Sequence, residues 1–585
     1  MVNRRNSYII GKALKNFLLA SVLTMAVQQL NVTVDGIIVG NFVNPDAFAA
    51  TSLFMPLSLA ISSFGALFGI GATIIAARHI GELDREKTDR TLSTAVLAVL
   101  VFGILLGAVS LLTRDSISSL VCHEERLEGH FTSYMSIMMG GSVITMFSTL
   151  TNHMISIDGH PEYVIAAVSA SAVTNLILDI VFVAFAGWGI AGSAWATVFS
   201  TLCGIIYLWK YIMSSRCLFS IRPFRYFSFS NLKTNMKHGA SIAVSNLLLM
   251  ALYATQSNIV QDRQGADGMF AFAICLNLLT LGMSMTTGVV APLMSIGGFL
   301  NGQHDYVGLK MLVHRGIALL EISIFTVVAV IQLFPGLIST LFGADTVELK
   351  LYSSTVLRTF SWFLPCVMSV LLLSNVYQLL GKLILVPVIA LMTFLVLISS
   401  LLLWSYLAGD ERIWYAFPQT GLTLLSAVLV ISQIIRRKEP DREWLTLVPH
   451  AESGRKIDIS VKADSKAMAG SMAEISDFLL SSGLEKKLCN DINLCVEEVV
   501  VNVVEHSGHN RDNHYFDVSI NLQKHCVTAS IKDDGKPFDP VRCSESQKGM
   551  GLKILHALCP DIEYRYMYGL NMIFMQWNIS EGVPD

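Results

Sequence analysis

The segment "NVTVDGIIVG" (residues 31–40) places an aspartate, Asp35, inside a run of residues that is otherwise almost entirely apolar. The whole chain is of the same character, because 53% of its 585 residues are hydrophobic and only 15% are charged. Soluble domains usually carry about 25% charged residues, whereas a run of ~20 apolar residues is long enough to cross a bilayer. A charge at bilayer depth costs about 3 kcal/mol or more, so an acid retained there is expected to have a function.

Apolar runs recur along the chain up to about Arg436 and predict an all-α polytopic membrane region with twelve transmembrane helices. The mean hydropathy of +0.56 agrees with this prediction. The net charge of −3 gives no indication of a nucleic-acid partner, and the ten cysteines contain no C-x-x-C pair that would indicate zinc. We place the spans at residues 16–40, 47–77, 91–112, 131–156, 162–186, 189–210, 239–261, 269–300, 312–333, 351–380, 383–405 and 412–435.

The distribution of basic residues predicts the orientation of these spans. Lysine and arginine are concentrated at the amino terminus, in residues 78–90 and 210–237, and at residues 436–438. With twelve spans all four segments lie on one side, which the positive-inside rule assigns to the cytoplasm. We therefore expect a multi-pass protein of a bacterial-type inner membrane with both termini in the cytoplasm.

A second polar cluster lies in the fifth and sixth predicted spans. The fifth span reads "VTNLILDIVF" (173–182), in which Asn175 and Asp179 are four residues apart and so share one helix face. The sixth span contributes the hydroxyl of Thr197. Together with Asp35, these groups could hold a proton or a hard cation such as sodium, which prefers oxygen ligands. The alternative is that they form only hydrogen bonds between helices.

Three stretches of this region resemble the multidrug and toxic compound extrusion (MATE) family: "VDGIIVGNFVNPDAFAATSL" (34–53), "FGIGATIIAARHIGELDREK" (68–87) and "TNLILDIVFVAFAGWGIAGSAWATV" (174–198). The resemblance covers residues ~10–436 and implies two six-helix lobes, here residues 1–225 and 226–436, around a central cavity. It also implies export of small organic, often cationic, compounds in exchange for protons or sodium. One branch of the family has a cation site in the first lobe, at positions that match Asp35, Asn175, Asp179 and Thr197. Another branch keeps an acid on the seventh helix, where this chain has Gln256.

The composition changes at about Lys438. Residues 437–454 are charged and are predicted to form a linker, and residues 455–585 are predicted to form a soluble α/β domain. The segments "KIDISVKA", "HYFDVSINL" and "CVTASIKDD" are typical of strands. The segment "EKKLCNDINLCVEEVVVNVVEHS" predicts a helix with one apolar stripe, formed by Ile492, Val496, Val499 and Val503.

Three motifs in this domain indicate a nucleotide site, although the chain contains no P-loop motif. "EEVVVN" (497–502) puts Glu498 and Asn502 on one helix face. "DDGKPFD" (533–539) follows a predicted strand, and "KGMGLKIL" (548–555) offers glycines at the start of a helix, where free amides favour phosphate.

In this order the motifs resemble the GHKL (Bergerat) ATP-binding α/β sandwich, over residues ~465–580, and most closely its anti-sigma-factor serine kinases. The likeness implies that Glu498 is the general base, that Asn502 is the ligand of an ATP-bound magnesium ion and that Asp533 reads adenine. It further implies that the nucleotide pocket is shaped by Gly535, Gly549 and Gly551.

The sequence thus predicts a MATE-type exporter, coupled to protons or sodium, with a cytoplasmic ATP-binding domain that regulates it or signals from it. The alternative is a membrane-tethered serine kinase or partner switch whose MATE-like half acts as a sensor. In that reading the partner is a cytoplasmic protein similar to an anti-sigma-factor antagonist. The sequence shows no helix that resembles the phosphoacceptor helix of histidine kinases, so autophosphorylation on histidine is not expected.

Overall fold

The structure is a computed structural model. It describes residues 22, 25, 29, 33–81, 85–158, 161–214, 217, 219–302, 306–382, 384–450, 456–462, 465–506, 515–522, 526–536, 550–559, 561–567 and 570–579.

The first half of the helical region contains eleven described helices. Helix α2 has a side-chain cap: the side chain of Asn44 accepts a hydrogen bond from the amide of Ala47 at 2.6 Å, and Pro45 occupies the first helical turn. The helices are α1 (33–42), α2 (Pro45–Leu53), α3 (Met55–Gly65), α4 (Gly71–Gly81), α5 (Arg85–Leu112), α6 (Arg114–Val121), α7 (Glu125–Gly140), α8 (Ser142–Ile157), α9 (Pro161–Asp179), α10 (Gly189–Ile212) and α11 (Pro223–Tyr226).

The second half begins with a long helix that is broken at Gly265, where a φ of 62° ends the first helical part. Only glycine adopts this conformation without strain. The break falls between the predicted spans 239–261 and 269–300. The helices are α12 (Phe229–Gly302), α13 (Tyr306–Leu333), α14 (Pro335–Leu341), α15 (Val347–Ser361), α16 (Phe363–Leu379), α17 (Leu385–Ala408) and α18 (Ala416–Lys438).

Among the described residues, nine helical stretches are long and apolar enough to cross a membrane. The predicted count of twelve stays a prediction, for three reasons. The span 16–40 lies mostly outside the described residues, and the span 131–156 is divided between α7 and α8 at Gly141. The single stretch Asn246–Met294 covers two predicted spans.

The two halves touch at a pair of glycines. A Cβ on Gly40 would lie 1.8 Å from the carbonyl oxygen of Phe342, and one on Gly343 would lie 2.1 Å from the carbonyl oxygen of Gly40. Next to this contact, the rings of Phe48 and Phe342 pack with their centroids 5.0 Å apart. The halves therefore meet backbone to backbone at the end of α1, and no side chain larger than hydrogen fits there.

The carboxyl-terminal domain is a two-layer α/β sandwich with its own core. Its antiparallel sheet has the strand order β1-β2-β3-β5-β4, and one face is covered by α19, α20 and α21. The predicted stripe of Ile492, Val496, Val499 and Val503 is buried against this sheet. The elements are β1 (Lys456–Lys462), α19 (Ser465–Ser481), α20 (Lys486–His506), β2 (Tyr515–Leu522), β3 (Cys526–Asp533), α21 (Met550–Leu558), β4 (Asp561–Met567) and β5 (Leu570–Asn578).

The glycine contact yields a stability prediction. Gly40→Ala forces two backbones apart and is expected to destabilise the protein by about 1–3 kcal/mol, as overpacking does in other close-packed sites. Gly129→Ala is the matched control, because a Cβ on Gly129 meets no atom within 4 Å and alanine favours the helix. Scanning fluorimetry of the purified protein measures both. Equal melting temperatures for Gly40→Ala and the wild type would contradict the contact.

Candidate functional site

Two acids from different helices share one buried site in the first half. Asp35 lies on α1, and Asp179 is the last residue of α9. Each carboxyl group acts electrostatically on the other, and Asp179 is completely buried. Ser193 of α10 completes the cluster, since its Oγ donates a hydrogen bond to Oδ1 of Asp35 at 2.8 Å. The structure thus brings together two of the predicted residues and adds a serine that was not predicted.

Local features of α9 and α10 explain how these side chains meet. Immediately after Asp179 the helix widens into a π-helical turn, Ile180–Phe185. Such turns interrupt α-helices at a cost and are frequent at functional sites. A Cβ on Gly192 would lie 3.1 Å from the backbone of Phe182, so the glycine allows α10 to approach this turn closely. The next residue, Ser193, is thereby brought to the acid pair.

The charge of the pair is not balanced within the described part of the chain. Apart from the neighbouring Asp35 carboxyl group, no side chain there gives a hydrogen bond to either carboxylate oxygen of Asp179, and no lysine, arginine or histidine of the described residues acts on either acid. Tyr134 is near enough for both carboxyl groups to act on its phenol, but a phenol brings no positive charge. A second negative charge beside the first is costly at such a site, so the pair favours a bound proton or cation.

Asn175 and Thr197 line a neighbouring cavity rather than touch the acid pair. The cavity has a volume of about 250 Å³ and lies between α8, α9 and α10. Asn175 is one turn before Asp179, and its Nδ2 has no hydrogen-bond partner in the described part of the chain. Thr197 is one turn after Ser193. The other polar side chains of the lining are Ser148, Asn152, Ser171, Ser200 and Thr201.

The second half holds a half-buried acid, Glu321, on α13. It accepts a short hydrogen bond from Ser369 of α16, and burial is partial. No second carboxylate accompanies it among the residues that act on it. The arrangement of two adjacent acids is therefore specific to the first half, as far as the described residues show.

In the α/β domain, Asp533 stands at the end of β3 and is held from two sides. Its Oδ1 accepts hydrogen bonds from the amide of Gly535 at 2.8 Å and from Nδ2 of Asn571 at 2.9 Å. Asn571 is the cross-strand neighbour of Asp533 on β5, and its own Oδ1 accepts a hydrogen bond from Tyr564 at 2.7 Å. Asp533 is only 5% exposed, so this carboxylate has a fixed orientation at the end of the central strand.

Glu498 and Asn502 lie one turn apart on α20, as the motif predicts. Nδ2 of Asn502 donates to Oε1 of Glu498 at 3.4 Å, which leaves the amide oxygen of Asn502 to accept a cation. Both residues are half-buried. Within the described part of the chain, no group of three or more His, Cys, Asp or Glu side chains could hold a metal ion.

The glycine motif is described only in part. Gly551 lies in the first turn of α21, and Gly549 lies outside the described residues. The roles of both glycines in the nucleotide site stay predictions.

Comparison with known proteins agrees with both predicted regions. Residues 20–181 match the MatE family model, and residues 461–577 match the model of the histidine kinase-like ATPase domain. A multidrug resistance MATE family transporter in an inward-facing conformation has a similar structure, with a TM-score of 0.63 and 21% identity over 72% of this chain and 97% of that one. A MOP superfamily transporter from Pyrococcus furiosus gives a TM-score of 0.57 and 21% identity, over 72% of this chain and 94% of that one. The helical region therefore has the MATE transporter fold, and a histidine kinase-like ATPase domain follows it.

Two curated relatives match a shorter part of this chain. Multidrug export protein MepA of Staphylococcus haemolyticus is 24% identical over 205 residues, which is 34% of this chain and 44% of that protein. The probable multidrug resistance protein YoeA of Bacillus subtilis is 22% identical over 216 residues, which is 36% of this chain and 47% of that protein. The chain thus spans less than half the length of these curated relatives.

The unbalanced acid pair predicts that neutral substitutions raise stability. Asp179→Asn removes one of two adjacent acids, so the melting temperature at pH 10, where both carboxyl groups of the wild type would be charged, is expected to rise by about 1–3 °C. Asp115→Asn, at an exposed position on α6, is the control and should leave the melting temperature unchanged. A melting temperature that falls in Asp179→Asn would show that the carboxylate is stabilised by a partner.

Proposed function

We propose that this protein is a multidrug efflux antiporter of the MATE type, coupled to protons or sodium and carrying a regulatory ATP-binding domain. The observation that supports this most is the pairing of half-buried Asp35 with completely buried Asp179, without a lysine, arginine or histidine beside them among the described residues. The names of the curated relatives support small organic compounds as substrates.

The chemistry of the site supports a simple coupling mechanism. A proton or sodium ion bound between Asp35 and Asp179 removes the repulsion between the carboxylates. A cationic substrate that enters the first half brings its own positive charge to the two carboxylates, so the bound proton or sodium ion is no longer needed there. The coupling cation and the substrate therefore compete for the site. All candidate ligands are oxygens, with Ser193 orienting Asp35 and with Asn175 and Thr197 in the adjoining cavity. This donor set suits sodium and protons alike.

The orientation of the protein is part of the proposal. The basic segments 78–90, 210–237 and 436–438 support a cytoplasmic location for both termini, in a bacterial-type inner membrane. The ATPase domain would then have access to cytoplasmic ATP.

The residues of the α/β domain fit ATP with magnesium. Asp533 is fixed by Gly535 and Asn571 in an orientation suited to accept from the adenine amino group. The amide oxygen of Asn502 would bind magnesium, and Glu498 beside it would act as general base. Bound ATP supplies a transferable phosphoryl group. The serine-kinase reading, in which a cytoplasmic antagonist-like protein receives this group and the helical region is a sensor, remains the second candidate because Glu498 is retained.

The first test is efflux of a fluorescent organic cation from proteoliposomes with an imposed proton or sodium gradient. Asp35→Asn and Asp179→Asn should each lower gradient-driven efflux by at least tenfold without lowering the amount of protein, since each removes half of the cation site. Glu321→Gln should retain most of the efflux, because this acid has no acidic neighbour. Asp115→Asn serves as the exposed control.

Two results would contradict the coupling site. The first is wild-type efflux rates in both aspartate variants. The second is loss of efflux in Glu321→Gln alone, which would move the coupling site to the second half. A wild-type protein that transports nothing under either gradient, yet phosphorylates a partner protein, would favour the sensor reading.

The second test is calorimetric titration of the purified full-length protein with ATP and magnesium. Asp533→Asn should weaken binding about tenfold or more, because a hydrogen bond to a charged acceptor contributes roughly 1.5–3 kcal/mol. Glu498→Ala should keep its affinity and lose phosphoryl transfer, because a general base acts only in the transfer step. Absence of binding at millimolar ATP in the wild type would remove the nucleotide site.

A further inference from the structure

The segment that follows α18 is folded into a compact hook, residues 439–450, although its charged composition predicts a linker. The amide of Glu443 donates to the carbonyl oxygen of Val448 at 2.9 Å. The amide of His450 donates to the carbonyl oxygen of Asp441 at 2.6 Å. Nη1 of Arg442 donates to the carbonyl oxygen of Leu447 at 3.0 Å. These bonds fold the segment back on itself.

The hook is attached by charge to the start of α13. The two carboxylate oxygens of Glu443 contact Nζ of Lys310 and Nε2 of His314, both at 3.0 Å. The Glu443 side chain is only 16% exposed. Burial alone would raise the pKa of Glu443, but hydrogen bonds from Thr446 and Lys310 and the neighbouring positive charges hold it below its usual value. Glu443 is therefore ionised and paired at neutral pH.

Further attachments join the hook to α16 and to the turn that follows it. The phenol of Tyr377 donates to the carbonyl oxygen of Leu445 at 3.0 Å. Nζ of Lys382 donates to Oε1 of Glu439 at 2.5 Å, and Arg442 holds the other oxygen of the same carboxylate. The hook thus bridges α13 and α16, which are separate elements of the second half.

Leu447 is inserted into the core of the second half under backbone strain. Its side chain is completely buried in a cluster with residues of α16, α17 and α18, including Tyr377, Leu424 and Val428. Its φ of 59° is the only positive φ of a non-glycine residue in the described part of the chain. A leucine in this conformation is disfavoured and persists only where its surroundings over-determine it. Strain of this kind is frequent in switch regions.

The hook is also close to the ATPase domain along the chain. Only residues 451–455 separate His450 from Lys456, the first residue of β1. Six consecutive Cα–Cα steps reach at most about 20 Å. A displacement of the ATPase domain larger than this slack must therefore pull on the hook.

We propose that residues 439–450 are the coupling element through which nucleotide binding in the ATPase domain alters the packing of α13 and α16 to α18, and thereby the transport rate. The inference rests on the proposed regulated efflux and specifies how the regulation is transmitted. The docking surface consists of Lys310, His314, Tyr377 and Lys382 together with the apolar pocket around Leu447.

Hydrogen exchange of the full-length protein, with and without ATP and magnesium, tests the docking. Glu443→Gln loses the ion pair with Lys310 and His314, and Leu447→Ala empties the apolar pocket, so amides 442–450 should exchange about tenfold faster in either variant. Glu474→Gln, at an exposed position of α19, is the control and should not change this exchange. In the wild type, ATP should change the exchange of the same amides.

Efflux measured with and without ATP inside the proteoliposomes tests the coupling. The wild type should change its rate at least twofold with ATP. Glu443→Gln and Leu447→Ala should retain efflux and ATP affinity but lose the response to ATP, whereas Glu474→Gln should keep it.

The outcomes separate the inference from the proposed function. An ATP response that is equal in the wild type and in both hook variants contradicts the inference and leaves regulated efflux intact. If ATP binds but efflux never responds to it, both the role of the hook and the proposed regulation of efflux by ATP are contradicted. If no efflux occurs at all, the proposed function fails, and the exchange experiment still decides the inference: ATP binding that leaves amides 442–450 unchanged overturns it.

Discussion

The first half of this protein depends on one constraint: two carboxyl groups, of Asp35 and Asp179, are held together inside the helical region. Among the described residues, no lysine, arginine or histidine offsets their charge. The arrangement requires α1, α9 and α10 to converge, and the chain achieves this with a π-helical turn after Asp179 and with the close approach at Gly192. A protein selected only for stability would not retain such a pair. This is why we propose that the pair gains and loses a cation.

The sequence predicts the acids more readily than their surroundings. A charge within an apolar run is visible in a single sequence, so Asp35 and Asp179 could be found and paired. Ser193 could not, because "GSAWATVFS" (192–200) offers Ser193, Thr197 and Ser200 as similar hydroxyls, and only the packing of α9 against α10 shows which one reaches Asp35. The roles of Asn175 and Thr197 remain predictions, since both line the adjoining cavity.

The same contrast holds after α18. Strands β1 to β3, the apolar stripe of α20 and Asp533 follow from alternation, helical periodicity and an Asp-Gly turn, whereas β4 and β5 were not predicted. Asn571 gave no signal, because its relation to Asp533 arises from the register of β5 against β3. The hook was predicted as a linker because its charges suggested solvent, whereas Glu439 and Glu443 are paired with lysines distant in sequence. Local composition does not reveal such pairs.

The central claim is that Asp35 and Asp179 hold one exchangeable cation, and the most direct measurement is the cation displaced when substrate binds. Purified protein in weakly buffered detergent solution can be titrated with an organic-cation substrate while proton release and sodium release are recorded together. The account predicts release of about one cation per bound substrate by the wild type, and none by the Asp35→Asn/Asp179→Asn double variant. Equal release by both proteins would contradict it.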